Sequence, residues 1–97
     1  MSEEEDRLKE IAKRGEEAEE WLNHPLFKHV ISIRKAHLFN EYQKTKYNQG
    51  ELREEIYRKL QALNAVEADF RRMIRNGGIA NEKLIDRIKK KFKRNDP

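Results

Sequence analysis

The chain contains no cysteine among its 97 residues. This absence excludes a disulfide framework and any zinc site built on thiolates, and it leaves the redox compartment unconstrained. The chain also lacks an internal repeat, a low-complexity tract and a linker long enough to separate domains. We therefore expect a single helical domain that spans residues 1–97.

No apolar run approaches the length of a membrane span, and the first ten residues, MSEEEDRLKE, are acidic where a signal peptide would be basic. We expect synthesis in the cytoplasm and no membrane partner. Charged residues make up 41% of the chain, and the mean hydropathy is −1.12. The apolar residues are nevertheless well phased, which predicts a folded protein with a thin core that needs a partner or a second copy.

The longest regular pattern lies between Asn48 and Gly78. Apolar residues recur there at steps of three and four, which is the period of one buried helix stripe. Asn48 is a candidate N-cap, and Asn76-Gly77-Gly78 predicts a left-handed stop. The predicted helices span approximately residues 3–22, 25–45, 49–76 and 82–93. The expected fold is all-α: a small bundle built on an antiparallel hairpin of helices two and three, with an acidic N-terminal helix and a short basic C-terminal helix.

Two features predict contacts beyond this hairpin. Helix one carries a narrow heptad-like seam whose Gly15 is tolerable if another helix backbone crosses closely there; a weak spot in an exposed helix is the alternative. Helix two is apolar on more than one face. The residues predicted to form an oligomer or partner interface are Leu8, Ile11, Gly15, Ala18, Leu22, Val30 and Ile33.

The charges are unevenly distributed, because residues 1–20 are mainly acidic and the C-terminal stretch is mainly basic. Either these are solvated helix ends, or the two ends meet within a chain or between copies. The basic residues also suit phosphate contacts, although no aromatic side chains interleave with them as a stacking platform would require. The candidate nucleic-acid contacts are Arg71, Arg72, Arg75, Lys89, Lys90, Lys91 and Lys93.

No pattern of catalytic residues is present. The three histidines, His24, His29 and His37, do not form a pair four residues apart on one helix face, so a metal site is not expected. Nothing resembles a nucleophile elbow, a phosphate-binding loop or a dinucleotide-binding turn. We expect no enzymatic activity and no cofactor.

Three stretches together resemble small helical proteins of tailed bacteriophages: WLNHPLF (Trp21–Phe27), RKAHLFNEYQKTKYNQGELREEIYRKLQALNAVE (Arg34–Glu67) and RNGGIA (Arg75–Ala80). The shared features are an aromatic-His-Pro-aromatic corner, a long charged helix, a glycine stop and a basic tail. The resemblance implies a phage setting among virion or packaging genes, and it implies no catalytic or ligand residues.

These observations predict a non-enzymatic phage structural or assembly protein. It would act by homo-oligomerisation or by docking on another virion component. We expect the protein to be made in the host cytoplasm, with or without incorporation into the virion. Two alternatives remain open at this stage. One is a nucleic-acid-binding packaging or regulatory protein that uses the basic C-terminal helix, and the other is an inhibitor of a host protein.

Overall fold

A computed structural model describes residues 2–94 and contains three α-helices. They are α1 (Glu3–Asn23), α2 (Pro25–Lys44) and α3 (Gly50–Arg94). No β-strand occurs in the part of the chain that the structure describes. The predicted all-α class is therefore confirmed.

Side chains of the residues just before α1 and α2 cap the start of each helix. At the start of α1, the Glu5 backbone N–H donates to Ser2 Oγ at 3.1 Å, as an N-cap does. His24 occupies the N-cap of α2 in extended conformation, and its Nδ1 accepts from the Leu26 backbone N–H at 3.1 Å. Pro25 follows at the first helical position, where its missing N–H costs nothing. The predicted corner at His24-Pro25 is confirmed.

The connection between α2 and α3 runs from Thr45 to Gln49. The Thr45 hydroxyl and backbone N–H both donate to the Tyr42 carbonyl, at 2.6 and 3.1 Å. The Gln49 carbonyl accepts the first bond of α3 from the Arg53 N–H at 3.0 Å. Because α3 begins at Gly50, Gln49 and not Asn48 stands at the cap position, which corrects the predicted start by one residue.

The predicted glycine stop does not form. Helix α3 continues without interruption through Gly77 and Gly78 to Arg94, and no glycine in the described residues has a positive φ. Residues 82–93, expected to form a separate helix, lie inside α3 together with Asn81 before them. The basic C-terminal segment is therefore the last part of α3 and not a fourth helix.

The chain divides into two compact units by its contacts. Unit 1 comprises Met1–Glu20 with Phe70–Pro97, and unit 2 comprises Trp21–Asp69. The core of unit 1 contains Leu8, Ala12 and Ala80, with Ile11 and Leu84 packed against them. Gly15 of α1 and Gly77 of α3 are both buried beside this core.

The Gly15–Gly77 contact explains why α3 keeps its helical course. A Cβ atom placed on Gly77 would lie 2.9 Å from the Gly15 Cα, and one placed on Gly15 would lie 2.8 Å from the Gly77 Cα. The two backbones approach more closely than any side chain would allow, so glycine is required by the crossing and not by a turn. Of the two interpretations of Gly15, the structure therefore shows the close helix crossing, and its partner is Gly77.

Unit 2 has a small core in which Leu38 of α2 is 2% exposed and Ile56 of α3 is 3% exposed. Two polar contacts join the same helices. Lys35 forms an ion pair with Glu67, and Arg53 Nη2 donates to the Tyr42 hydroxyl at 3.0 Å with its guanidinium carbon 4.6 Å from the centre of that ring. This second contact combines a hydrogen bond with a cation–π interaction.

Few large side chains are buried in either unit. Among the described residues, the only buried hydrophobic side chains larger than alanine are those of Leu8, Leu38 and Ile56. Many large apolar side chains remain exposed instead, among them Leu26, Val30, Ile33, Phe39, Ile85, Ile88 and Phe92. The predicted thin core is therefore present in the described residues.

Candidate interaction surfaces

The apolar seam of α1 packs largely within its own chain. Leu8, Gly15 and Ala18 are buried, and half-buried Ile11 packs against the cluster that contains Ala80 of α3. These side chains belonged to the predicted partner interface, and in the structure they hold α1 inside the chain. Only the exposed members of the predicted set remain accessible to a partner.

Leu22, another predicted interface residue, borders an open cavity of about 310 Å³ in unit 2. Phe27 and Ile31 form the apolar side of this cavity, and the ion pair between Lys35 and Glu67 lies at its polar side.

Val30 and Ile33 are the two predicted interface residues that the structure leaves exposed. Each is 54% exposed, and Leu26, one turn before Val30, is 63% exposed. At about 100° per residue these three side chains fall on one side of α2. Leu38 and Tyr42 fall on the other side, towards α3. Leu26 was missing from the predicted set, although the same helical spacing would have placed it there.

We name this surface the outer α2 face. It comprises Leu26, His29, Val30, Ile33, Ala36, His37 and Asn40, all of them exposed. Over these four turns the surface carries no Asp, Glu, Lys or Arg. At the border of the surface, His37 Nε2 lies 3.0 Å from the Glu41 carboxylate. In a chain that is 41% charged, an exposed surface of this length without Asp, Glu, Lys or Arg is a candidate interaction surface.

The acidic and basic ends of the chain meet within unit 1. Arg87 of α3 lies 2.8 Å from the Glu4 carboxylate and 3.6 Å from that of Glu5, and Lys91 Nζ lies 3.9 Å from Glu5. The hydrogen bond to Glu4 is the main cause that raises the pKa of Arg87, so this guanidinium stays charged. The predicted meeting of the two ends occurs inside one chain.

The remaining basic candidates lie along one side of α3. Arg71 and Lys89, Arg72 and Lys90, and Arg75 and Lys93 are each eighteen residues apart. Eighteen residues make about five turns of about 3.6 residues, so the members of each pair lie on the same side of the helix. We name the six together the α3 basic stripe. All six side chains are exposed, and Arg71 and Arg72 also have interaction partners within the structure.

Lys91 is not part of this stripe. Its position on α3 turns it towards α1, where it faces Glu5. Gly77, Ala80 and Leu84 also lie on that side of α3. The predicted set of seven cations therefore divides into six that point away from α1 and one that contributes to the packing of α1.

The histidines have structural or surface positions. His24 caps α2, its ring lies 6.4 Å from that of Trp21, and His37 contacts Glu41. Among the described residues, no group of three or more His, Asp or Glu side chains is arranged to hold a metal ion. None of the helices over residues 2–94 is both long enough and apolar enough to cross a membrane.

Comparison of the chain with protein-family models, curated proteins and solved structures finds no match. The resemblance to small phage proteins therefore stays a prediction that depends on the three stretches quoted above.

Proposed function

We propose that this chain is a non-enzymatic structural or assembly protein that acts by homo-oligomerisation through the outer α2 face. The observation that carries the proposal is the length of this exposed, uncharged surface in a highly charged chain. Leu26, Val30 and Ile33 form its apolar centre. Burying them in a contact would add apolar area to a fold that buries few large side chains, and each would stabilise the assembly by up to about 1.5–3 kcal/mol.

The character of the face favours a second copy as its occupant. A charged partner would lose hydration against Leu26, Val30 and Ile33 without gaining an opposite charge, which costs free energy. The same face on another copy presents no such charges. A two-fold axis brings identical patches together, so the contact is self-complementary in polarity. The antiparallel arrangement of α2 and α3 that we propose for unit 2 would present this face outward in both copies.

The phage setting belongs to the same proposal. It depends on the resemblance of the corner at Trp21–Phe27 and of the long charged helix to small proteins of tailed bacteriophages. Within that setting, a chain that is made in the host cytoplasm and self-associates would serve virion assembly. In the alternative form of the proposal, the same face docks on another virion component and gives a hetero-oligomer.

The experiment compares Ile33→Glu with Phe39→Glu by sedimentation velocity. Both residues lie on α2 with nearly equal exposure, 54% and 55%, but Phe39 points about 120° away from Ile33. Glutamate has good helix propensity, so both variants should fold, which circular dichroism checks. We expect Ile33→Glu to be monomeric and Phe39→Glu to keep the oligomeric mass of the unsubstituted chain. Equal masses for both variants, or a monomeric unsubstituted protein, would exclude the outer α2 face as the self-association surface.

A further inference from the structure

The two halves of the α3 basic stripe are brought into line by the continuity of α3. The first cluster is Arg71, Arg72 and Arg75, and the second is Lys89, Lys90 and Lys93. A helix that stopped at Gly77 would leave their relative direction undefined. Because α3 runs through both glycines as a regular helix, five full turns separate the clusters and both point the same way.

The stripe lies on the side of α3 opposite to α1. The side that packs on α1 includes Gly77, Ala80 and Leu84. At about 100° per residue the middle of the stripe, at Arg75 and Lys93, is about 140–180° away from these three residues. Nothing in the described part of unit 1 covers it, since all six of its side chains are exposed. Although Arg71 and Arg72 also have interaction partners within the structure, a guanidinium carries five N–H donors and can engage a phosphate at the same time.

The two clusters of the stripe are far enough apart along α3 to make two separate contacts. At about 1.5 Å per residue the cluster centres lie about 27 Å apart, and Arg75 and Lys89 are about 21 Å apart. Between the clusters, the same side of α3 carries the carboxylates of Glu82 and Asp86, both exposed. The surface is therefore positive at both ends with two carboxylates between them, and the exposed Lys83 lies about 20° beyond its edge.

We propose that the α3 basic stripe binds double-stranded nucleic acid, with one cluster on each of the two phosphate backbones that border a groove. Phosphate is the ligand that clusters of exposed Arg and Lys recognise. A major groove about 12 Å wide fits within the gap of about 21 Å. The carboxylates of Glu82 and Asp86 would then face the groove and not a phosphate. This binding is a function separate from self-association through the outer α2 face.

The acidic gap argues against a single strand as the ligand. A single strand that followed α3 from one cluster to the other would pass its phosphates over Glu82 and Asp86, where like charges repel. The stripe also differs from a membrane-binding helix, which carries a broad apolar face between its basic borders. The one large apolar residue within this arc is Ile79.

The test measures binding of a fluorescent duplex of about 16 base pairs and random sequence, long enough to reach both clusters at about 3.4 Å per base pair. Fluorescence anisotropy is recorded over a series of salt concentrations. If all six cations meet phosphates, log K should fall with log salt with a slope of about −5. In Lys89→Gln/Lys90→Gln/Lys93→Gln the slope should fall to about half, with about tenfold or more loss of affinity at low salt.

The matched control is Lys13→Gln/Lys44→Gln/Lys46→Gln, which removes the same charge from exposed lysines outside the stripe. It should retain the slope of the unsubstituted protein. An equal loss in both triple variants would show attraction by net charge alone and overturn the proposal. So would tighter binding of the single strand, or binding to anionic vesicles with none to the duplex.

The Ile33→Glu variant separates this proposal from the proposed function. The substitution lies in unit 2 and leaves the stripe unchanged. A monomeric Ile33→Glu protein that still binds the duplex with a slope of about −5 would support both proposals. Absence of duplex binding at low salt by an oligomeric, unsubstituted protein would remove the nucleic-acid proposal and leave self-association intact.

Discussion

Alanine substitution at the two adjacent glycines of α3 should affect stability differently. A Cβ on Gly77 would lie 2.9 Å from the Gly15 Cα and 3.3 Å from the Ile11 carbonyl oxygen, whereas ordinary van der Waals contact begins near 3.4 Å. Both neighbours are backbone atoms, so the helices must move apart. A Cβ on Gly78 would meet nothing within 4 Å.

The magnitude follows from two terms. Both substitutions gain about 1 kcal/mol of helix propensity, so this term cancels when the two variants are compared. Gly77→Ala alone suffers overpacking, which costs about 1–3 kcal/mol. Gly78→Ala should therefore stabilise the protein by about 0.5–1 kcal/mol. Gly77→Ala should be about 1–3 kcal/mol less stable than Gly78→Ala.

The assay is denaturant unfolding followed by far-UV circular dichroism, with thermal unfolding as a second measurement. For a domain of this size about 1 kcal/mol corresponds to about 4–8 °C in Tm. Gly15→Ala should resemble Gly77→Ala. The double variant should lose less than the two losses combined, since the first alanine already separates the helices. A Gly77→Ala protein as stable as Gly78→Ala would refute the close crossing, and a destabilised Gly78→Ala would restore the glycine stop.

Substitutions at four further positions test the packing of each unit. Ile56→Ala should lose about 2–5 kcal/mol of unfolding free energy because it leaves a cavity, whereas the exposed Leu52→Ala should lose less than about 1 kcal/mol; similar losses would contradict the core of unit 2. Tyr42→Phe removes the acceptor for Arg53 and should lower the free energy of unfolding by about 0.5–1.5 kcal/mol in denaturant unfolding. Tyr42→Leu should lower it by about 0.5–1 kcal/mol more through the lost cation–π contact. Equal stability of the two variants would argue against that contact. Arg87→Gln should lower Tm at low salt and much less at high salt. Because the pKa of Arg87 is raised in the folded state, its contribution is complete below the ordinary pKa and should stay constant between about pH 6 and 9; a loss of the effect within that range would contradict the pairing with Glu4.

Local signals in the sequence were sufficient for most helix boundaries. The His24-Pro25 corner and the Ser2 cap depend on residues within one or two turns of each other, and the structure has both. The i,i+4 pairs Glu54–Arg58 and Glu55–Lys59 also form, at 3.0 and 3.6 Å. These features could be predicted because the interacting residues are neighbours in sequence.

The continuity of α3 could not be predicted in the same way. A glycine pair after a long helix has the same local appearance whether it ends the helix or admits a crossing backbone. The deciding residue is Gly15, which lies on another helix far away in sequence. The α1 seam and the outer α2 face present a similar difficulty, because apolar spacing identifies a face without identifying which helix covers it. Only the tertiary contacts show that Leu8 is covered and Ile33 is not.

The most direct test of self-association through the outer α2 face is the solution mass of the unsubstituted protein, measured by light scattering after size exclusion at low and high salt. An apolar contact between uncharged faces does not weaken as salt screens charges. We predict a discrete oligomer of the 11.7 kDa chain whose mass is the same at both salt concentrations. A monomer at both concentrations would contradict the proposed assembly function, and an oligomer that dissociates at high salt would show that charge, and not the outer α2 face, joins the copies.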